Sequence, residues 1–160
     1  MSESNEVYVL CGARSAQLAQ KFLDVFLPCR KPLSFDYPYP QYSDYPTIVF
    51  ENPVDVMNRL ESDLTERYSL YWGELDIKTH TQSMLFFTND GGMIAGVATY
   101  DSDLVNVLRR LSDLVGGRFG YLSFESPPPH TCHEFIAMCR VTDSPALVDG
   151  RIREETQSSS

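Results

Sequence analysis

Basic residues are in short supply in this chain. Thirteen Lys and Arg stand against 22 Asp and Glu, a formal net charge of -9 over 160 residues. Such a body repels phosphate backbones and anionic lipid surfaces, so neither nucleic acid nor membrane is the expected partner. Cysteine is equally sparing: Cys11, Cys29, Cys132 and Cys139 form no Cys-x-x-Cys pair. A secreted disulfide scaffold would be shorter and denser in cysteine. No apolar run approaches the roughly 20 residues that span a bilayer, and the opening Met-Ser-Glu-Ser-Asn carries neither a basic nor an apolar leader segment. A soluble protein of the reducing cytoplasm is therefore expected.

Motifs that would name a reaction are missing too. The turn after the first apolar run reads Cys11-Gly12-Ala13-Arg14 and lacks a dinucleotide fingerprint. No Gly-x-Ser-x-Gly elbow occurs. His130, Cys132 and His133 supply the start of a metal set, but no second pair answers them, and Cys132 and Cys139 are spaced as buried cysteines on one helical face. Glu74 and Asp76 share one strand face with no second element to complete a hydrolytic pair. Asp90-Gly91-Gly92 offers too few oxygens for calcium and reads as a hairpin tip. The expectation is no catalytic residue, no metal and no cofactor.

What is present is an ordinary globular composition, 42% hydrophobic, with many rings: nine Tyr, nine Phe and one Trp. Val7 to Cys11 reads as a strand, and Ser15 opens a helix with Leu18, Phe22, Val25 and Phe26 on one face, stopped by Pro28. Thr47 to Phe50 is a short strand. Asn52-Pro53 starts a second helix with Val54, Met57, Leu60 and Leu64 as its stripe. Tyr68 to Leu75 is a strand, and Ser83–Thr88 and Met93–Thr99 form a hairpin across Asn89-Asp90-Gly91-Gly92. Asp101 or Ser102 caps a third helix carrying Leu104, Val107, Leu108, Leu111 and Val115, ended by Gly116-Gly117. Phe119 to Phe124 is a strand, and Thr131 with Glu134 makes a capping box for a helix over Cys132 to Cys139. The pattern predicts an α+β domain over residues 1–141. It would be a two-layer fold, with a mainly antiparallel sheet of about six strands and three to four helices packed mostly on one face. Residues 142–160 are expected to be a weakly structured extension, with a weak strand near Ala146 to Val148.

Residues 28–46 differ in kind. Five prolines hold the segment extended while tyrosines and aspartates alternate through it. Long loops of this sort are often functional, and tyrosine gives a large rigid contact area with a polar tip. Asp36, Tyr37, Tyr39, Tyr42, Asp44 and Tyr45 are the candidate partner-binding residues, with Trp72, Glu74 and Asp76 beside them. The competing reading makes the rings a satellite core. The acidic balance points to a protein partner with a basic surface.

The segment Phe26-Leu27-Pro28 through Tyr37-Pro38-Tyr39-Pro40-Gln41-Tyr42, the Tyr71-Trp72 strand and the Leu85-Phe86-Phe87-Thr88-Asn89-Asp90-Gly91-Gly92 hairpin resemble small acidic α+β immunity proteins of bacterial polymorphic toxin systems. The resemblance lies within residues 26–92 and extends, by element spacing, to about Phe135. It implies a stoichiometric inhibitor that covers the active site of a cognate toxin. Two other readings stand beside it: a small enzyme or ligand-binding domain with a pocket built from Cys11, His80, His130 and His133, and an adaptor or chaperone for a secreted effector.

Overall fold

The computed structural model describes residues 5–154. In chain order the elements are β1 (Asn5–Leu10), α1 (Ala16–Phe26), β2 (Arg30–Pro32), β3 (Tyr37–Tyr39), β4 (Ile48–Phe50), α2 (Pro53–Ser62), β5 (Tyr68–Glu74), β6 (Gln82–Phe87), β7 (Met93–Thr99), α3 (Leu104–Val115), β8 (Phe119–Ser123), α4 (Cys132–Val141), β9 (Ala146–Val148) and β10 (Arg151–Arg153). Eight strands form one antiparallel sheet in the order β10-β9-β8-β1-β7-β6-β5-β2, and β3 and β4 form a separate hairpin. The α+β class and the β5-β6-β7 meander are as the sequence predicts.

The count of about six strands is corrected to eight. The additional strands are three-residue pieces, and alternation over three residues carries no readable period. The boundary at residue 141 is corrected with it. Ala146 and Leu147 are buried and pair with Tyr121 and Gly120, so the chain through Arg153 belongs to the sheet. Residues 155–160 of the expected extension lie outside the described residues.

Each helix starts on a side-chain cap. Ser15, Asn52, Asp103 and Thr131 accept from the backbone N–H groups of Leu18, Asp55, Asn106 and Glu134, satisfying donors that the first helical turn leaves unpaired. The third cap is thus Asp103, one or two residues later than expected, because Asp101 instead accepts from the Asp103 N–H in a turn of its own. Gly116 ends α3 in the left-handed conformation (φ 64°). The buried stripe of α2 is Val56, Met57 and Leu60, while Val54 and Leu64 are half exposed; in α1, Ala19, Phe22 and Leu23 are buried and Val25 is half exposed. In α1, Leu18, Phe22 and Phe26 face the core as expected and Val25 turns out; in α2, Met57 and Leu60 do so, with Val56 in place of Val54.

Strand alternation divides the core in two. Val7, Val9, Leu70, Trp72, Leu85, Phe87, Ala95 and Val97 point to one face, where α1, α2 and α3 pack. Tyr8, Met84, Phe86, Ile94 and Tyr121 point to the other, where Phe135 and Cys139 of α4 meet them. Three helices on one face fit the expectation, but α4 makes a third layer and corrects the two-layer arrangement.

Arg14 locks the first face to the hairpin. Its guanidinium donates to the carbonyls of Leu60 and Asp63 (both 2.7 Å), Glu66 (3.0 Å), Thr88 (2.7 Å) and Gly92 (3.0 Å), and it lies 5.2 Å from the Phe87 ring centroid. At the hairpin tip, Asp90 accepts from the backbone N–H of Cys132 with both carboxylate oxygens (2.9 Å). The β6–β7 turn therefore seats the N-terminus of α4, where a carboxylate is favoured by the helix dipole.

The outer edge of β5 is completed by two different partners. β2 pairs with Trp72, Gly73 and Glu74. Beyond it, the Gln41 side-chain amide donates to the Ser69 carbonyl (2.9 Å) and accepts from the Ser69 N–H (2.7 Å).

Candidate functional site

The sequence-predicted contact residues separate into three groups. Tyr37, Tyr39 and Trp72 are 4%, 3% and 2% exposed and belong to the first-face core. Proline-rich residues 37–39 and Ile48–Phe50 pair as strands, which turns alternate tyrosines inward. Tyr39 stacks on Tyr68 (6.0 Å) and meets Phe50 edge-on (5.8 Å), and its hydroxyl donates to Asp63. Burial first, then Asp63, holds that phenol protonated well above its ordinary range. These three are corrected from contact residues to core residues.

Glu74 forms the second group. Its carboxylate accepts from the N–H groups of Lys78 (2.8 Å), Thr79 (3.1 Å) and Thr81 (3.4 Å) and from the Thr79 hydroxyl. Those bonds, the Thr79 hydroxyl first, bring its pKa down to about 2 from an ordinary 4.5. Glu74 organises the β5–β6 turn. Because the folded pKa is depressed, this support is fully present above the unfolded value near 4.5 and is lost as pH falls toward about 2. The amide resonances of Lys78 and Thr79 should titrate together with a midpoint near pH 2, while Glu74→Gln should remove the transition.

Asp36, Tyr42, Asp44, Tyr45 and Asp76 are exposed. Of these, Tyr42 is built into a larger surface. Its hydroxyl bonds Ser69 Oγ (3.1 Å), and the Arg67 guanidinium sits 4.3 Å from its ring centroid, yet the ring stays 58% exposed. Ser69 lies on the second face of the sheet, two residues from Tyr71.

That second face is only partly covered. A ten-residue helix such as α4 is about 15 Å long, whereas eight strands at roughly 4.8 Å spacing are about 34 Å wide. α4 lies over β8 and β9; on the rest of this face Tyr8, Met84, Phe86 and Ile94 are buried, while Tyr71 stays 39% exposed. The registers place the exposed side in ordered rows. Gly73, Gln82, Ala98, Glu6 and Ser123 form one row, and Tyr71, Met84, Gly96, Tyr8 and Tyr121 form the next. In the second row the Tyr8 ring lies over Gly96, where an added Cβ would come within 2.8 Å of Tyr8 Cδ1. A chain of ring contacts crosses the face: Tyr71–Phe86 and Phe86–Tyr8 at 5.8 Å edge-to-face, Tyr8–Tyr121 at 5.8 Å, and Tyr121–Phe135 at 5.1 Å under α4.

Over the open part runs a groove of about 510 Å³. Tyr8, Met84, Phe86 and Ala98 line it from the strands, Tyr71 and Tyr100 stand 39% and 47% exposed, and Glu6, Glu125 and Pro127 close one side. His80 meets Tyr100 edge-on at 6.1 Å. His80 (φ 57°) and Glu125 (φ 56°) both occupy the left-handed region that favours glycine, a strain that clusters at functional surfaces. The apolar surface continues past the groove to half-exposed Leu33, which lies against Gly73, and to exposed Ile77.

The Cys/His set does not converge. Cys11 sits in the first-face core, its thiol pushed up to about 12 by burial, while His80 lines the second-face groove. His130 pairs with Arg67 before α4, and His133 is exposed on α4. No group of three or more His, Cys, Asp or Glu is placed to hold a metal ion among the described residues. All four cysteines are free thiols. Among the described residues, no helix is long and apolar enough to cross a membrane.

The groove escaped sequence reading, although a signal for it existed. β6 and β7 are apolar at both alternations, which marks strands needing cover on two faces, and one short helix cannot supply it. No protein-family model matches this chain, and neither a curated protein nor a solved structure resembles it at a significant level.

Proposed function

We propose that this protein is a non-catalytic binding protein that docks a basic protein through the open half of its second sheet face, as an immunity-type inhibitor occluding a toxin's active site in the cytoplasm. The observation that carries the reading is the pair of half-exposed rings Tyr71 and Tyr100 lining a groove bordered by Glu6 and Glu125, with exposed Tyr42 bonded to Ser69 of the same strand as Tyr71. Exposed tyrosines held by hydrogen bonds and ring contacts lose little entropy on binding. The net charge of -9 steers a cationic partner toward this body. Asp36 and Asp44 lie in the segment that carries Tyr42, and Asp76 lies in the turn that carries Ile77 and His80.

The test is growth of cells expressing the product of the neighbouring gene, alone and together with this protein. Rescue through a stable complex is the expected result. Association without rescue assigns the adaptor role instead, and a harmless, non-associating neighbour overturns the toxin partner. Within a complex, Tyr42→Ala and Tyr71→Ala should each weaken binding by about 2 kcal/mol while the unfolding midpoint stays near that of the parent. An equal loss of stability would return both rings to a purely structural role.

A further inference from the structure

We propose that the groove on the open sheet face is a receptor for a guanidinium group, the anchor point for an arginine side chain of the basic partner. The inference rests on the same face as the proposed function and adds the chemistry of its occupant.

Two carboxylates meet at one side of the groove. Glu6 Oε2 accepts from the Glu125 N–H (2.8 Å), which holds the two acidic residues together. Among the described residues neither carboxylate has a Lys or Arg partner. Burial, and to a lesser degree the Glu125 charge, raises the Glu6 pKa above the ordinary carboxylate value. An outside cation would relieve both effects.

The second observation is Tyr8. Its side chain is 2% exposed and lines the groove beside Glu6, yet its hydroxyl has no hydrogen-bond partner among the described residues. The hydroxyl is reached from the groove that Tyr8 lines, so a donor entering there meets an acceptor already in place.

The third is shape. The floor row is made of small or flat groups, Ala98 and Gln82 beside Gly73, flanked by the rings of Tyr8, Tyr71 and Tyr100. A planar cation can lie along aromatic surfaces while its edge N–H groups reach a carboxylate and a phenol oxygen. Guanidinium does this with five fixed donors, and ammonium offers a compact, strongly hydrated point charge. The groove volume of about 510 Å³ also leaves room for the residues flanking the arginine.

The experiment is an NMR titration of the full chain, labelled in backbone amides and aromatic rings, with N-acetyl-arginine methylamide and its lysine and norleucine counterparts. Saturable shifts confined to Gln82, Ala98, Tyr100 and the Tyr8 and Tyr71 rings are expected with the arginine compound alone. Glu6→Gln keeps an acceptor for the Glu125 N–H and should weaken that binding about fivefold. Tyr8→Phe keeps the ring and should weaken it about threefold. Equal response to norleucine, or unchanged affinity in Glu6→Gln, overturns the cation site, and an equal response to lysine overturns the guanidinium preference. Because the probe is a small molecule, failure here leaves the larger docking face to be judged by the growth assay.

Discussion

Replacing Arg14 by alanine should lower the free energy of unfolding by about 3 kcal/mol or more, read from the urea midpoint at unchanged slope. The side chain supplies donors to five carbonyls drawn from two places that share no ladder: the C-terminal end of α2 with the turn after it, and the β6–β7 hairpin. Without it those acceptors lie partly buried with nothing to replace a rigid, forked donor. Arg14→Lys should recover only a minor part of the loss, because a compact ammonium cannot span the same carbonyls. The damage should also travel. Asp90 at the hairpin tip caps α4, so protection of the Cys132 amide from hydrogen exchange should fall in Arg14→Ala. A loss below about 1 kcal/mol would mean that water substitutes for the guanidinium.

Trp72→Ala should cost about 3–5 kcal/mol, the range for removing a large buried ring from a core that cannot fully collapse around the gap. Trp72 is 2% exposed and lies on the first face, beneath the crevice that Leu23 of α1 and Met57 of α2 also line. As the only Trp in the chain it reports on itself: its emission should be blue-shifted in the folded protein and move red on unfolding. Trp72→Phe should retain much of the stability and leave partner affinity unchanged, since the proposed docking surface is on the opposite side of the sheet. A drop in affinity with preserved folding would place the contact on the first face instead.

These expectations show where the sequence is readable. Long amphipathic patterns with good caps were legible: α3 buries Val107, Leu108, Leu111 and Val115 as its spacing predicts, and the Asp-Gly hairpin falls between Phe87 and Met93. Tyrosine was the least legible residue. Tyr39 and Tyr42 stand three positions apart in the same Tyr/Pro segment, yet one is core and the other surface. The difference is made by β4, which pairs with Tyr37–Tyr39 and turns alternate rings toward Tyr68; that pairing depends on residues nine to thirteen positions further on. The groove was hidden for a related reason. Its rows are assembled from β1, β5, β6 and β7, and only the strand order brings Glu6 beside Ala98, 92 residues further along the chain.

The Gln41 side chain has a bearing on what the sheet margin offers to another strand. A sheet's outermost strand is normally a template for another molecule's strand, the route to fibrils and swapped dimers. On this side the outermost strand, β2, is only three residues long and ends in Pro32, and the rest of the β5 edge is used up: the Leu33 N–H takes the Tyr71 carbonyl (3.0 Å), and the Gln41 amide imitates a peptide group against Ser69. The opposite margin, β10, is three residues long and carries Arg151 and Arg153. Recognition by adding a strand is thereby discouraged at both margins, in keeping with the proposed docking on the broad side of the sheet.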